Sequence, residues 1–308
     1  MGENTGLRVV SPEKDNHRDG RFFARRHSMI AGFLIAAAVL IAVTCIVVAR
    51  FGMHRWLRKQ KGRFVGIAAW EDKGPTPLGE KGYTPQGLTW VNGRLVFANT
   101  WKNSRSRVYE FDPGNMEVLR FFDMPDGAVH TSGLAWDGER LWAVDYISNH
   151  GYCIDLEASL ASGVVQVVGK FATTLEGTSA CCILPWNDRT YLAVSDFMRT
   201  RRTIFVRMEE AIQSGTAEGA IDFEYKNEGF SQGLEYVEGY LFESENKVGV
   251  DIVNKIDLQK LRETGDARRA TIKQYPAPSK GVEDLAWDGE RFWTSDETVF
   301  RFFSGSLD

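Results

Sequence analysis

Histidine is scarce in this chain, with 5 residues in 308, and only His130 and His150 lie beyond Arg63. That excludes a histidine-dense metal centre. His150 and Cys153 have ligand-like spacing but no obvious further ligands. Cysteine is almost as rare: Cys45 falls in an apolar run, leaving Cys153, Cys181 and Cys182. An odd number fits either one disulfide with a free thiol or three buried thiols. No Asn-x-Ser/Thr acceptor occurs, so nothing points to a glycosylated compartment. There is no P-loop, and nothing nominates a Ser-His-Asp triad. Basic charge is confined to the start: 12 Lys and Arg against 4 Asp and Glu through Arg63, leaving 25 against 37 of the whole-chain 37 and 41. The acidic remainder has no basic face for nucleic acid. It suits a peptide or a small amine-bearing ligand.

Met29 to Ala49 is the one long apolar run, 21 residues without a charge. At 1.5 Å per residue it matches a hydrocarbon core of roughly 30 Å, and no small-x-small cleavage site follows it. It is expected to be a single transmembrane helix, an uncleaved signal-anchor, behind a disordered polar tail over residues 1–28. Residues 50–63 form a basic juxtamembrane segment with Trp56. Arginines flank the run on both sides, so the positive-inside rule is undecided. One N-terminal anchor usually leaves a short tail inside, which makes the following domain extracytoplasmic.

The rest is organised by repetition. Gly133 to Asp145, GLAWDGERLWAVD, alternates apolar residues on either side of Asp137-Gly138, a strong β-hairpin signal. It recurs as GLTWVNGRLVFANT, ILPWNDRTYLAVSD, GLEYVEGYLFESEN and DLAWDGERFWTSDE. The aromatic residue before each turn is Trp90, Trp136, Trp186, Tyr236 and Trp287, at intervals of 46, 50, 50 and 51 residues. Such a period predicts an all-β five-bladed β-propeller over residues 64–308. The fifth blade runs out three strands in, after TVFRFF, so Phe64 to Trp70 is expected to supply its outer strand and close the ring. EDKGPTPLGEKGYTPQ reads as a loop, and MEEAIQSG and DLQKLRETG as short helices.

Aligned on the aromatic anchors, the hairpins place two rings of residues at one mouth. Their first strands begin at Gln86, Ser132, Cys182, Gln232 and Glu283, and their second strands leave at Asn99, Asp145, Ser195, Glu245 and Asp296, with Asp196 one step beyond. Polar residues at hairpin ends commonly satisfy nearby turns, the alternative being an amine or a cation such as calcium. The first ring varies between blades, as a functional position does. Glu283 is its one acid, and a carboxyl at a narrow acidic mouth is suited to general acid-base chemistry.

FSQGLEYVEGYLFESENKVG from Phe230 resembles the FTQGL...LYESTG stretch of glutamine cyclotransferases, the plant and bacterial type of glutaminyl cyclase. YTPQGL at Tyr83 is a second such segment, and VNGRLVFANTWKNSRSRVYEFDP from Val91 is similar to the family's VNG...ANVW...RIDP blade. The resemblance implies a five-bladed propeller whose pocket uses the Phe and Gln of FTQG and a proton-transferring Glu from the next blade's FGEG. Phe230 and Gln232 match the first two. Glu283 stands at the third position, in GVEDLA. Trp101 corresponds to the pocket-wall Trp of ANVW, and Gln86 replaces its partner Asn. The implied activity is cyclisation of an N-terminal glutamine with ammonia release, an acyltransferase reaction with no metal or cofactor. Two alternatives stand beside it: a non-catalytic ligand- or protein-binding scaffold, and a calcium-dependent hydrolase or lactonase.

Overall fold

In the computed structural model, residues 66–77, 79–247 and 250–308 are described. The tail, apolar run and basic segment expected over residues 1–63 lie outside them. Among the described residues no helix is long and apolar enough to cross a membrane.

The described residues begin with β1 (Ala68–Pro75), after which strands follow four at a time. The first blade is β2 (Tyr83–Val91), β3 (Arg94–Trp101), β4 (Arg105–Asp112) and β5 (Glu117–Asp123). The second is β6 (Thr131–Trp136), β7 (Leu141–Asp145), β8 (His150–Ile154) and β9 (Val167–Ala172). The third is β10 (Thr178–Trp186), β11 (Arg189–Asp196), β12 (Arg202–Val206) and β13 (Ile221–Lys226). β14 (Ser231–Val237), β15 (Tyr240–Lys247), β16 (Val250–Asp257) and β17 (Thr271–Pro276) make the fourth. β18 (Val282–Trp287), β19 (Phe292–Asp296) and β20 (Arg301–Leu307) make three-quarters of the fifth, and β1 completes it, antiparallel to β20. These are five separate four-stranded antiparallel sheets.

The closing strand is Ala68–Pro75, four residues later than the FVGIAAW reading. Its register, Ala68 against Leu307 through Pro75 against Arg301, carries AAWEDKGP along the outer edge, with a bulge where Gly74 takes φ 112°. Trp70 donates its indole N–H to the Pro276 carbonyl at 3.0 Å, tying this strand to the fourth blade as well.

Alternation along each strand sends every second side chain into the gap between neighbouring blades. Five apolar clusters result, one per gap. Phe97, Phe111, Trp293 and Phe302 join the first and fifth blades, for example, and Trp186, Phe205, Leu234 and Leu241 join the third and fourth. The three cysteines among the described residues, Cys153, Cys181 and Cys182, are buried thiols. Adjacent Cys181 and Cys182 face opposite gaps, as the period of two requires.

Two hairpins share a fastening that the repeated WDGER spells out. The Asp137 carboxylate accepts the N–H groups of Glu139 and Arg140 and the Trp142 indole N–H at 2.8 Å. Asp288 does the same for Glu290, Arg291 and Trp293. The turn is a four-residue loop, because Trp136 pairs with Leu141.

Short helices fill the corners between strands. α1 (Leu156–Ser162), α2 (Met208–Ser214), α3 (Leu258–Thr264) and α4 (Ala267–Ala270) lie in the second, third and fourth blades. α1 and α3 start on the capping carboxylates of Asp155 and Asp257 and stop at Gly163 and Gly265, both left-handed.

Candidate active site

Every inner hairpin breaks register at the same level. Pairing skips Gln86 in the first blade, Ser132 in the second, Ser179 in the third, Gln232 in the fourth and Glu283 in the fifth. A β-bulge re-aims the side chain it releases, and here several of these groups reach the next blade. Gln86 meets His130, the Ser132 hydroxyl donates to the Thr178 carbonyl at 2.7 Å, and Gln232 meets Glu283.

Two ring positions differ from the reading anchored on Trp186. In the third blade Ile183 pairs with Leu192, as Trp136 pairs with Leu141, so the hairpin runs on three residues further and Trp186 pairs with Arg189. An odd slip exchanges the faces of a strand. Ser179 therefore holds the ring position and Cys182 is in the core, 2% exposed. Likewise Asp196, opposite Thr178, is the ring acid in place of Ser195.

The outer ring is thus Asn99, Asp145, Asp196, Glu245 and Asp296, and four of its members fasten loops. Asp145 accepts the N–H groups of His130, Ile147 and Ser148. Asp196 accepts those of Thr200 and Arg201, Asp296 those of Thr298 and Val299, and the Asn99 amide donates to the Pro77 carbonyl. These carboxylates organise turns.

Glu283 is 1% exposed, and its Oε1 accepts the Gln232 side-chain amide at 3.1 Å. Burial pushes its carboxyl well above the usual carboxylate range, and Glu297, Asp284, Asp296 and Asp251 add like charge in the same direction. Its backbone carbonyl is held by the Ser244 hydroxyl at 2.7 Å. Held at its side chain by Gln232 and at its backbone by Ser244, it sits where burial favours the neutral, protonated form.

Gln86 is buried, with its amide oxygen 2.8 Å from Nε2 of His130. The other ring nitrogen faces the Asn103 side-chain amide. Burial lowers the His130 pKa against the pull of Asp145, so the imidazole is neutral and carries one N–H. Its one N–H donates to one of the two amide oxygens. Sequence reasoning missed His130, because nothing in HTSGLAW separates a site histidine from a loop one.

Phe230 immediately precedes β14 with φ 64°, sparsely populated for a bulky residue. Its ring lies edge-on to Phe197 at 5.5 Å, within an arc that continues through Tyr146 to His130. Trp101 ends β3 opposite Tyr83, and the Arg105 guanidinium lies 5.0 Å from the Trp101 ring and 5.7 Å from that of Tyr83. Lys102 approaches the same indole at 5.2 Å. Among the described residues, no hydrogen bond or ring contact joins Phe230 or Trp101 to the Gln232–Glu283 pair. His150 and Cys153 do not form a ligand pair: the imidazole meets the Ser148 carbonyl, and the thiol is buried and pushed up to about 11.

Beneath this mouth the Asp284 side chain reaches from the fifth blade to the first and second. One carboxylate oxygen accepts the Leu88 and Leu134 N–H groups at 2.9 and 3.0 Å, and the other accepts that of Leu285. Equivalent positions in the other blades are Gly87, Gly133, Ala180 and Gly233. A Cβ on Gly233 would lie 2.5 Å from the Asp284 Cα and one on Gly133 2.9 Å from the Ala180 Cα, so neighbouring inner strands approach too closely at this waist for larger side chains.

Fold and site together define a five-bladed antiparallel β-propeller, closed by its first strand, with a buried, amide-held carboxylic acid at one mouth. Among solved structures it is similar to glutaminyl cyclase of Myxococcus xanthus, with a TM-score of 0.59 over 80% of this chain and 98% of that chain at 16% identity. The two share a fold. A chain of a mitotic checkpoint complex aligns with a TM-score of 0.41, 14% identity, and 70% and 62% coverage. No family model matches the sequence, and no curated protein is significantly similar to it.

Proposed function

We propose that this propeller cyclises N-terminal glutamine by intramolecular acyl transfer, with Glu283 as the proton-transfer group. The observation that carries this reading is the buried Glu283 acid held at 3.1 Å by the Gln232 amide. The α-amine of the substrate attacks its own side-chain amide carbon, forming the ring C–N bond. The bond to the amide nitrogen then breaks and ammonia leaves. The leaving nitrogen gains one proton and the attacking amine loses one. Glu283 donates the first and recovers the second, so the acid is regenerated and no cofactor enters. Both reacting groups belong to one molecule, so holding them in a near-attack geometry supplies much of the rate.

Gln232 and Gln86 present amides that orient the substrate, and Phe230 and Trp101 form walls. The neutral His130 sets which end of the Gln86 amide faces the mouth. The uncharged run of Met29–Ala49 tethers the domain to a membrane on the extracytoplasmic side, where peptide N-termini are available.

Incubating the full-length chain with a Gln-initiated peptide and following mass loss of one ammonia tests the reading. Time-dependent conversion above the spontaneous rate is expected. An inert, folded wild type overturns it in favour of a non-catalytic binding propeller.

A further inference from the structure

The opposite end of the channel carries a second cavity, of about 230 Å³. It is lined from all five inner strands, and four of its walls are the aromatic residues that mark the sequence repeat: Trp90, Trp136, Tyr236 and Trp287. The third blade contributes Ile183 there because of its longer hairpin. All four rings are half-buried, so each keeps surface open to the cavity. Packing fixes them. Trp90 stacks on Trp293 at 5.9 Å, Trp287 lies 4.7 Å from Phe292, and the Tyr236 hydroxyl accepts the Gly239 N–H.

One acid enters this aromatic wall. Glu235 accepts the Tyr236 N–H on one oxygen at 2.9 Å and the Trp287 N–H on the other at 3.2 Å. No Lys or Arg lines the cavity. A carboxyl enclosed by aromatic rings without a basic partner is complementary to a cation that is large, apolar at its surface and weakly hydrated. A primary ammonium keeps its water too strongly, and a guanidinium needs paired acceptors that Glu235 has already committed to backbone N–H groups. Measured against roughly 30 Å³ per water, the space holds a quaternary head and the first carbons of its stem.

We propose that this mouth is a binding site for a small trimethylammonium compound of the choline class, with Trp90, Trp136, Tyr236 and Trp287 as the cage and Glu235 as the counter-charge. The site is separate from the Glu283 mouth: neither Glu283 nor Gln232 lines it, and the Asp284 side chain spans three blades between the two. Binding is also coupled to protons. Burial pushes Glu235 up to about 8, so a cation must draw the carboxyl into its charged form and release a proton. The titratable groups facing it are Tyr236 on its own strand, Asp284 from β18, and Cys181 and Cys182 from β10, whose thiols burial pushes well up. None supplies a positive charge.

The test is a titration of the full-length chain, in maltoside detergent and amine-free buffer, with choline chloride against sodium chloride of equal ionic strength, read by tryptophan fluorescence. Saturable quenching is expected, with the neutral isostere 3,3-dimethylbutanol at least about tenfold weaker. Below pH 8 the affinity should fall by about tenfold per pH unit. E235Q should abolish both the charge preference and the pH dependence, and W136F should weaken binding while the melting temperature holds. A folded wild type that shows no saturable response at tens of millimolar choline, or that binds the neutral isostere equally well, overturns the proposal. Because catalysis is not the readout, failure here leaves the Glu283 reading standing, and the reverse holds too.

Discussion

Oδ2 of Asp284 accepts the backbone N–H of Leu134 at 3.0 Å, joining residues 150 positions apart in the chain. The inner strands are paired on one side only, so their remaining N–H groups point at the axis and need acceptors there. Asp284 serves three of them, from the first, second and fifth blades. Protonated, as burial favours, its carbonyl oxygen still takes the pair from Leu88 and Leu134.

D284A should therefore leave these buried donors unpaired, costing about 2–5 kcal/mol. D284N keeps a carbonyl oxygen and should lose markedly less. Urea denaturation midpoints of the two variants measure the difference, and equal losses would mean that side-chain volume, not hydrogen bonding, holds the waist.

Closure of the ring rests on a similarly tight approach. A Cβ on Gly305 would sit 2.4 Å from the Ala69 carbonyl oxygen and 2.7 Å from the Trp70 ring, at the seam between β20 and β1. G305A must push the closing strand away, since its obstacle is backbone. The expected result is a melting temperature lowered by several degrees together with faster proteolysis within residues 66–77. A control at Gly138, on an open loop with φ 99°, tests strain without crowding.

Much of this architecture was legible in the sequence because repetition multiplies weak signals. Five DG- or NG-like hairpins at a steady interval carried the blade number, and the missing outer strand of the last blade pointed back to residues near 70. Trp186 misled because the third hairpin is longer, and spacing alone cannot show where a ladder has gained three residues. That slip moved Cys182 into the ring and Ser179 out of it. DLEASLASG hid α1, although it shares its Asp cap and terminal Gly with DLQKLRETG, which was read as a helix. Of the candidate site, the Gln232–Glu283 contact follows from blade adjacency. The His130–Gln86 contact depends on a loop whose path no periodicity encodes. The role of the outer acids as turn fasteners was among the readings available from their position at strand ends.

Several buried acids share one direction of shift, and this fixes the pH dependence of stability. Unfolded glutamate ionises near pH 4.3, whereas Glu235 in the folded chain is pushed up to about 8 by burial. Between these values the native state holds a proton that the unfolded state has lost, so stability falls as pH rises across that window. Glu283 and Asp284 are shifted in the same direction. The melting temperature should be highest near pH 5 and lower by several degrees at pH 9. E235Q should flatten part of that slope, whatever its effect at pH 5. A wild type more stable at pH 9 than at pH 5 contradicts the assignment.

E283Q separates the chemistry from the fold. Gln keeps the shape of the side chain and an oxygen to accept from Gln232, but it has no proton to exchange. Cyclisation of a Gln-initiated peptide should lose about 10²–10⁴-fold in kcat. Stability at pH 8 should not fall, because a carboxyl that burial disfavours has been removed. Wild-type kcat/KM should decline on the acid side as the substrate α-amine protonates, near pH 7.7–8.0, and on the alkaline side as Glu283 loses its proton. The alkaline limb belongs to Glu283 and should vanish from the residual activity of E283Q. Q232A should move that limb as well, because the amide that meets the carboxyl is gone. If E283Q keeps wild-type kcat, or both limbs survive unchanged, proton transfer lies elsewhere and the buried acid serves the mouth only as structure.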